Sequence, residues 1–165
     1  MKKILFSLLG IVCMCISPVA AQVIEGNIAM TDKVPSEFFG GWKVVSVCTK
    51  TTNKELFDSK SVDLWILKRQ DGIITLMNPL SGARADIAVN DVKGKTVKFE
   101  KRSSFPDEES LETPILTLQG DNFTGVDKIS IKTFKDGKLI KEDYVEYQVK
   151  GTKISGASIS GIFGL

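Results

Sequence analysis

The stretch "FFGGWKVVSV", Phe38 to Val47, sets two glycines against a tryptophan and follows them with a β-branched run. Glycine reaches backbone conformations closed to other residues, so a glycine pair marks a bend or a close approach of two chains. The valines after it favour an extended backbone. Trp42, Val44, Ser46 and Cys48 share one face of that extended segment, because side chains alternate along a strand. The stretch reads as the entry into the first strand of a small β-barrel. Gly40, Gly41 and Trp42 then form a structural plug at its closed end, where an indole buries a large apolar area.

The rest of the chain repeats the strand pattern. "VDLWILKR" (62–69) and "GIITLMN" (72–78) meet at Asp71-Gly72, a strong hairpin signal. "NPLSG" (78–82) and "NDVKG" (90–94) read as turns on either side of "ARADIAV" (83–89). In "KTVKFEKR" (95–102), Val97 and Phe99 oppose Lys98 and Glu100. "SSFPDEES" (103–110) reads as a polar loop, followed by "ETPILTLQ" with Leu116 and Leu118 on one face. "FTGVDKISIKTF" (123–134) sets Ile129 and Ile131 against Lys128, Ser130 and Lys132. A second Asp-Gly turn at 136–137 leads to "LIKEDYVEYQVK" (139–150), where Val145, Tyr147 and Val149 share a face.

Eight short amphipathic strands with hairpin-length links, and almost no 3.6-residue period, imply an all-β chain. The meander order favours an antiparallel up-and-down β-barrel over a sandwich, which needs longer crossings. The barrel is expected over residues 41–151, after an irregular leader at 22–40. Residues 152–165 form a glycine-rich tail in which "KISGASI" is a candidate ninth strand.

The first 21 residues are of another kind. Lys2 and Lys3 precede the apolar run "ILFSLLGIVCMCI", and "VAA" supplies small residues before Gln22. This is the pattern of a secretory signal peptide cleaved after Ala21, giving a secreted or periplasmic protein. The run is shorter than the ~20 apolar residues a span requires, so no stable membrane span is expected once the signal is removed.

The 22 Lys and Arg, of which Lys2 and Lys3 lie in the signal, face 20 Asp and Glu, so the rest of the chain is balanced. No basic block suggests a nucleic-acid partner. Of the 3 cysteines only Cys48 lies beyond the signal, which leaves no internal disulfide and makes Cys48 a small apolar filler of the inner face. The chain has no histidine, which removes Ser-His-Asp catalysis and the usual zinc sites. Asp86, Asp91, Asp121, Asp127, Glu142 and Asp143 fall at turns and outer faces. The expectation is therefore not an enzyme, with no catalytic residue, metal or cofactor.

The order F-x-G-x-W-K-x-V over Phe38–Val45, with the later "VKGKTVKFEKR…LTLQGDNFTGVDKI", resembles the lipocalin and fatty-acid-binding group (the calycins), in particular small bacterial lipocalin-like domains. The likeness spans Phe38 to Lys153. It implies a barrel that binds or carries a small hydrophobic ligand. That group packs a late arginine across the first-strand tryptophan. Here the arginines are Arg69, Arg84 and Arg102, which leaves Lys150 or Lys153 for that place.

On the carrier reading a small apolar molecule lies among the inward residues Val44, Ser46, Val97, Phe99, Leu116, Leu118, Ile129, Ile131, Val145 and Tyr147. An eight-stranded barrel is just wide enough for one ligand or for its own side chains. The alternative is a protein-interaction or inhibitor module with a filled core, acting through the 103–110 loop and the apolar leader around Phe38 and Phe39. The sequence does not specify an oligomeric state.

Overall fold

The two Asp-Gly dipeptides turn the chain as their sequence requires. Asp71 and Gly72 have φ of 52° and 76°, and Asp136 and Gly137 have 53° and 71°. Two consecutive positive φ values make the tight turn whose twist matches that of the flanking strands. The computed structural model describes residues 28–154. It contains eight strands: β1 (Gly40–Thr51), β2 (Lys60–Gln70), β3 (Ile73–Met77), β4 (Arg84–Lys93), β5 (Thr96–Phe105), β6 (Glu108–Gln119), β7 (Asn122–Lys135) and β8 (Lys138–Ile154). Each pairs antiparallel with the next, and β8 pairs with β1, so the sheet closes into a barrel in strict sequence order. No helix among the described residues is long and apolar enough to cross a membrane.

Two expected turns prove to be strand. "NDVK" continues β4 through a bulge between Val89 and Asp91, and only Gly94 and Lys95 lie outside the strands. The 103–110 segment is the end of a long hairpin, with Phe105 opposite Glu108 and only Pro106 and Asp107 between strands. Strand pairing satisfies backbone groups that a polar loop would leave to water. At the C-terminus Lys153 and Ile154 extend β8, and the remainder of "KISGASI" lies outside the described residues. So does the expected signal at 1–21.

The leader belongs to the core. It forms one helical turn, α1 (Ile28–Thr31), and a short 3-10 turn (Ser36–Phe38) under the closed end. Val34 and Phe38 are buried there, and the Phe38 ring meets Phe99 edge-on at 5.8 Å. Phe38 is therefore unavailable as an interaction surface. Its carbonyl accepts a 2.8 Å hydrogen bond from Trp42 Nε1, which satisfies the one polar atom of the buried indole.

Lys153 takes the place above Trp42. Its Nζ lies 4.4 Å from the ring centroid and donates to the carbonyls of Glu37 and, at 2.6 Å, Phe39. Burial lowers its pKa, against the opposing pull of Asp121 and Glu37. Arg69 braces the other side of the leader, over the Phe39 ring at 5.1 Å and bonded to the Thr31 carbonyl.

Gly40 has φ of 118°, the bend anticipated before the first strand, and Gly41 is a buried strand position. A second glycine matters more to the plug. A Cβ on Gly151 would sit 2.2 Å from the Phe123 ring. Phe123 fills that gap, tilts against Trp42 at 4.9 Å and stacks on Trp65 at 6.1 Å. Trp65 thus has a definite inward face.

Trp42→Ala is expected to cost about 3–5 kcal/mol, the range for large aromatic truncations in cores. Gly151→Ala should also destabilise clearly, because the added methyl displaces Phe123 from the stack. Urea unfolding midpoints check both, and unchanged midpoints would remove the plug from its structural role.

Candidate functional site at the open end of the barrel

The inward positions divide the barrel into two halves. Toward the closed end they are Trp42, Val44, Trp65, Leu67, Ile74, Ile87, Val89, Val97, Phe99, Leu116, Leu118 and Phe123, all buried. Of the ten expected cavity residues, Val44, Val97, Phe99, Leu116, Leu118, Val145 and Tyr147 are buried, while Ser46, Ile129 and Ile131 are half-buried. Phe99 and Leu116 border a small space of about 10 Å³, and Leu118 borders an opening of about 290 Å³ at the closed-end rim with Glu37, Lys95, Gly120, Asp121 and Lys153. The smaller one, at issue here, has room for about one water molecule.

This space has a local cause. Pro114 lacks an N–H, and the β5–β6 ladder is interrupted between Lys98–Ile115 and Lys101–Glu112. The space lies at that interruption, bordered by Phe99, Glu100, Lys101, Glu112, Pro114 and Leu116 among others.

Beyond it the interior becomes ionic. Lys101 continues the inward parity of Val97 and Phe99, and Glu112 that of Leu116 and Leu118. Their side chains form an ion pair at 2.6 Å. Asp127 continues the parity of Phe123 and Ile129 and is only 5% exposed. It sits diagonally across from Glu112, whose direct partner is Ile129. The expectation that the acids lie at turns and outer faces fails for Asp127 and for Asp143. Asp143 is also buried, held by Lys141 at 2.8 Å and by Asn53 Nδ2 at 3.2 Å.

Asp127 is the unusual group. Its pKa is pushed up to about 8, first by burial, then by the Glu112 charge and by a hydrogen bond that favours the protonated acid, with Lys101 opposing. At neutral pH it therefore holds a proton and donates it toward Glu112. Its Oδ1 is buried with no hydrogen-bond partner among the described residues.

Register sets Asp127 in one row with β1, the strand that borders the mouth. Pro114 pairs with Asp127, Asp127 with Tyr147, and Tyr147 with Cys48, a row crossing β6, β7, β8 and β1. The Tyr147 phenol is raised in pKa by burial and then by Cys48, Asp58 and Asp127. Cys48 is half-buried against the core, as its parity implied, and borders a groove of about 680 Å³. The end of β1 and the following loop build that groove from Cys48, Thr49, Lys50, Thr51, Lys54, Phe57, Asp58 and Ser59.

The loop is pinned rather than loose. Cys48 N donates to Ser59 O and Thr52 N to Tyr144 O, both at 2.9 Å. Asn53 Oδ1 accepts from the backbone of Glu55 and Leu56, and Phe57 N closes a single helical turn onto Asn53 O. Phe57 then packs on the core while Leu56 stays exposed.

A proton held in the folded state, but released by the unfolded chain above its ordinary pKa of 3.8, makes stability fall as pH rises from about 4 to about 8. Asp127→Asn keeps a donor toward Glu112 and has no proton to lose. Its stability is expected to gain on the wild type across that window, as read by urea midpoints at pH 5 and 8. A constant difference between the two proteins would place the proton elsewhere. No family model, curated protein or solved structure matches the chain, so the functional reading rests on this geometry.

Proposed function

We propose that the chain is an exported, lipocalin-like barrel that binds a small organic molecule at its open end. The single observation that carries this reading is the pinned groove of about 680 Å³ beside Cys48 and Phe57, which lies within the size range of small-molecule sites. The plugged lower half supports placing the ligand at the mouth and not among the apolar residues beneath it. Such a ligand sets its apolar part against Phe57 and its polar groups among Thr49, Thr51, Asp58 and Ser59. Export is supported by the charged, apolar and small-residue pattern of residues 1–21. The lipocalin-like description is supported by the Gly-Trp opening and by a lysine, Lys153, lying over that tryptophan.

A second reading is favoured by exposed apolar side chains on the same end. Phe105, Leu139 and Ile140 stand 65%, 51% and 60% exposed on two hairpin tips. The tips are joined by the Phe134 N to Asp107 O bond. On this reading the rim binds another protein.

Titration with the neutral dye Nile red separates the two. If the groove binds, Ser59→Trp, which fills it from an exposed position, is expected to weaken dye affinity about tenfold or more. Phe105→Ser with Leu139→Ser should then leave affinity unchanged. The reverse pattern would transfer the function to the rim.

A further inference from the structure

Strand β2 departs from the polar–apolar alternation of β5 and β8. Trp65 and Leu67 are inward and buried, yet the outward positions Val62, Leu64 and Ile66 are apolar as well. The outward positions of the neighbouring strands extend this strip. Val45 of β1 lies directly opposite Val62, Val47 follows two residues on, and Met77 of β3 lies opposite Ile66. Val47 and Val62 are 45% and 55% exposed, and the other four are half-buried. At about 3.4 Å per residue and about 4.8 Å per strand, the strip runs about 20 Å along the outer wall and about 10 Å across it.

Cations frame the strip. Lys43 and Lys60 hold outward positions on β1 and β2, and Lys68 follows Ile66. Lys150 of β8 pairs with Val45, and Arg84 of β4 pairs with Met77. All five are exposed, and among the described residues none is in an ion pair. No acid holds an outward position on β1, β2 or β3. The next outward acids along β4 and β8 are already engaged: Asp86 accepts from Thr75, and Glu146 is held by Lys128. Elsewhere on the wall the charges answer each other, as Arg102 does Glu100.

We propose that this wall of the barrel docks on an anionic lipid bilayer. A contiguous apolar patch with a charged rim marks a protein or membrane contact, and the chemistry of the rim selects between them. A second copy of the chain would set one ring of cations against another, a like-charge contact that disfavours pairing. A protein interface is anchored by aromatic side chains and depleted in lysine, whereas this strip has no aromatic residue and four lysines around it. A bilayer takes both features together. The aliphatic side chains enter the headgroup boundary, and the lysine stems lie along apolar surface with their ammonium groups at the lipid phosphates. Near an anionic surface each lysine adds roughly fivefold to the affinity. Lys43, between Gly41 and Val45 on the strip itself, keeps the wall at headgroup depth, so the barrel rests on the membrane without crossing it. The open-end groove plays no part in this contact.

Sedimentation of the exported protein with vesicles of phosphatidylcholine, and of phosphatidylcholine mixed with phosphatidylglycerol, tests the proposal. Binding to the mixed vesicles is expected to be at least about tenfold tighter than to the neutral ones, and to weaken as salt rises. Lys60→Glu with Lys150→Glu, both exposed on the border of the strip, should reduce it by about tenfold or more. Val47→Ser with Val62→Ser should weaken it several-fold and leave the salt dependence in place. Lys135→Glu with Lys138→Glu makes the same charge change at the β7–β8 tip and should alter binding less than about twofold. Each variant is compared in the same chain with unchanged circular dichroism, so residues outside 28–154 contribute equally throughout. Equal binding to the two kinds of vesicle, or equal loss from the two lysine pairs, overturns the proposal. Binding to neither overturns it too, and leaves the strip to an acidic protein.

Discussion

The contact on which the barrel depends is the seating of Trp42 between its own strand and the chain that precedes it. Its Nε1 is bonded to Phe38 O, Phe123 lies against one side, and Lys153 covers the ring while holding two leader carbonyls. One aromatic residue thereby joins the leader, β1, β7 and β8. The joins to β7 and β8 are non-local, so the plug is complete only when the sheet has closed. The apolar side chains then have one place to gather, the closed end.

That polarity places the charged residues. The filled end takes up the large side chains, and strand alternation still carries inward positions toward the mouth. There the same parity supplies Lys101, Glu112, Asp127 and Asp143. Buried ions seldom add net stability, because desolvation offsets their attraction. Lys101 answers Glu112, and Lys141 with Asn53 answers Asp143, whereas Asp127 is accommodated by keeping its proton. Local conflicts of this kind, in a barrel otherwise consistent at every level, occur at functional or strained positions.

The mouth loop shows how rigidity is obtained without a disulfide. Its ends are fixed by backbone bonds from Cys48 and Thr52, its middle by the Asn53 side chain, and its inner side by Phe57 on the core. The groove is therefore already formed before anything enters it. A preformed site loses less conformational entropy on binding than one that must order itself.

Most of the architecture was legible in the chain. Alternation located the eight strands and their inner faces, the Asp-Gly pairs fixed two hairpins, and the Gly-Trp opening marked the closed end. The same alternation held the inward charges, since Lys101, Glu112 and Asp127 share the parity of apolar residues already assigned inward. They escaped notice because a charged side chain on an amphipathic strand reads as solvent-facing. Other features leave no local trace. Gly151 is required because Phe123, 28 positions earlier, occupies the volume of its missing Cβ. Gly125 is required because the Ile115 carbonyl approaches within 2.0 Å of where a Cβ would stand. The sequence by itself determined the strands, their faces and their order, because those follow from neighbours along the chain. Only the tertiary structure decided that Phe123 packs between Trp42 and Trp65, that Lys153 reaches Trp42 and that one buried carboxyl is held protonated. Those outcomes depend on volume and desolvation, which exist only once distant strands share an interior.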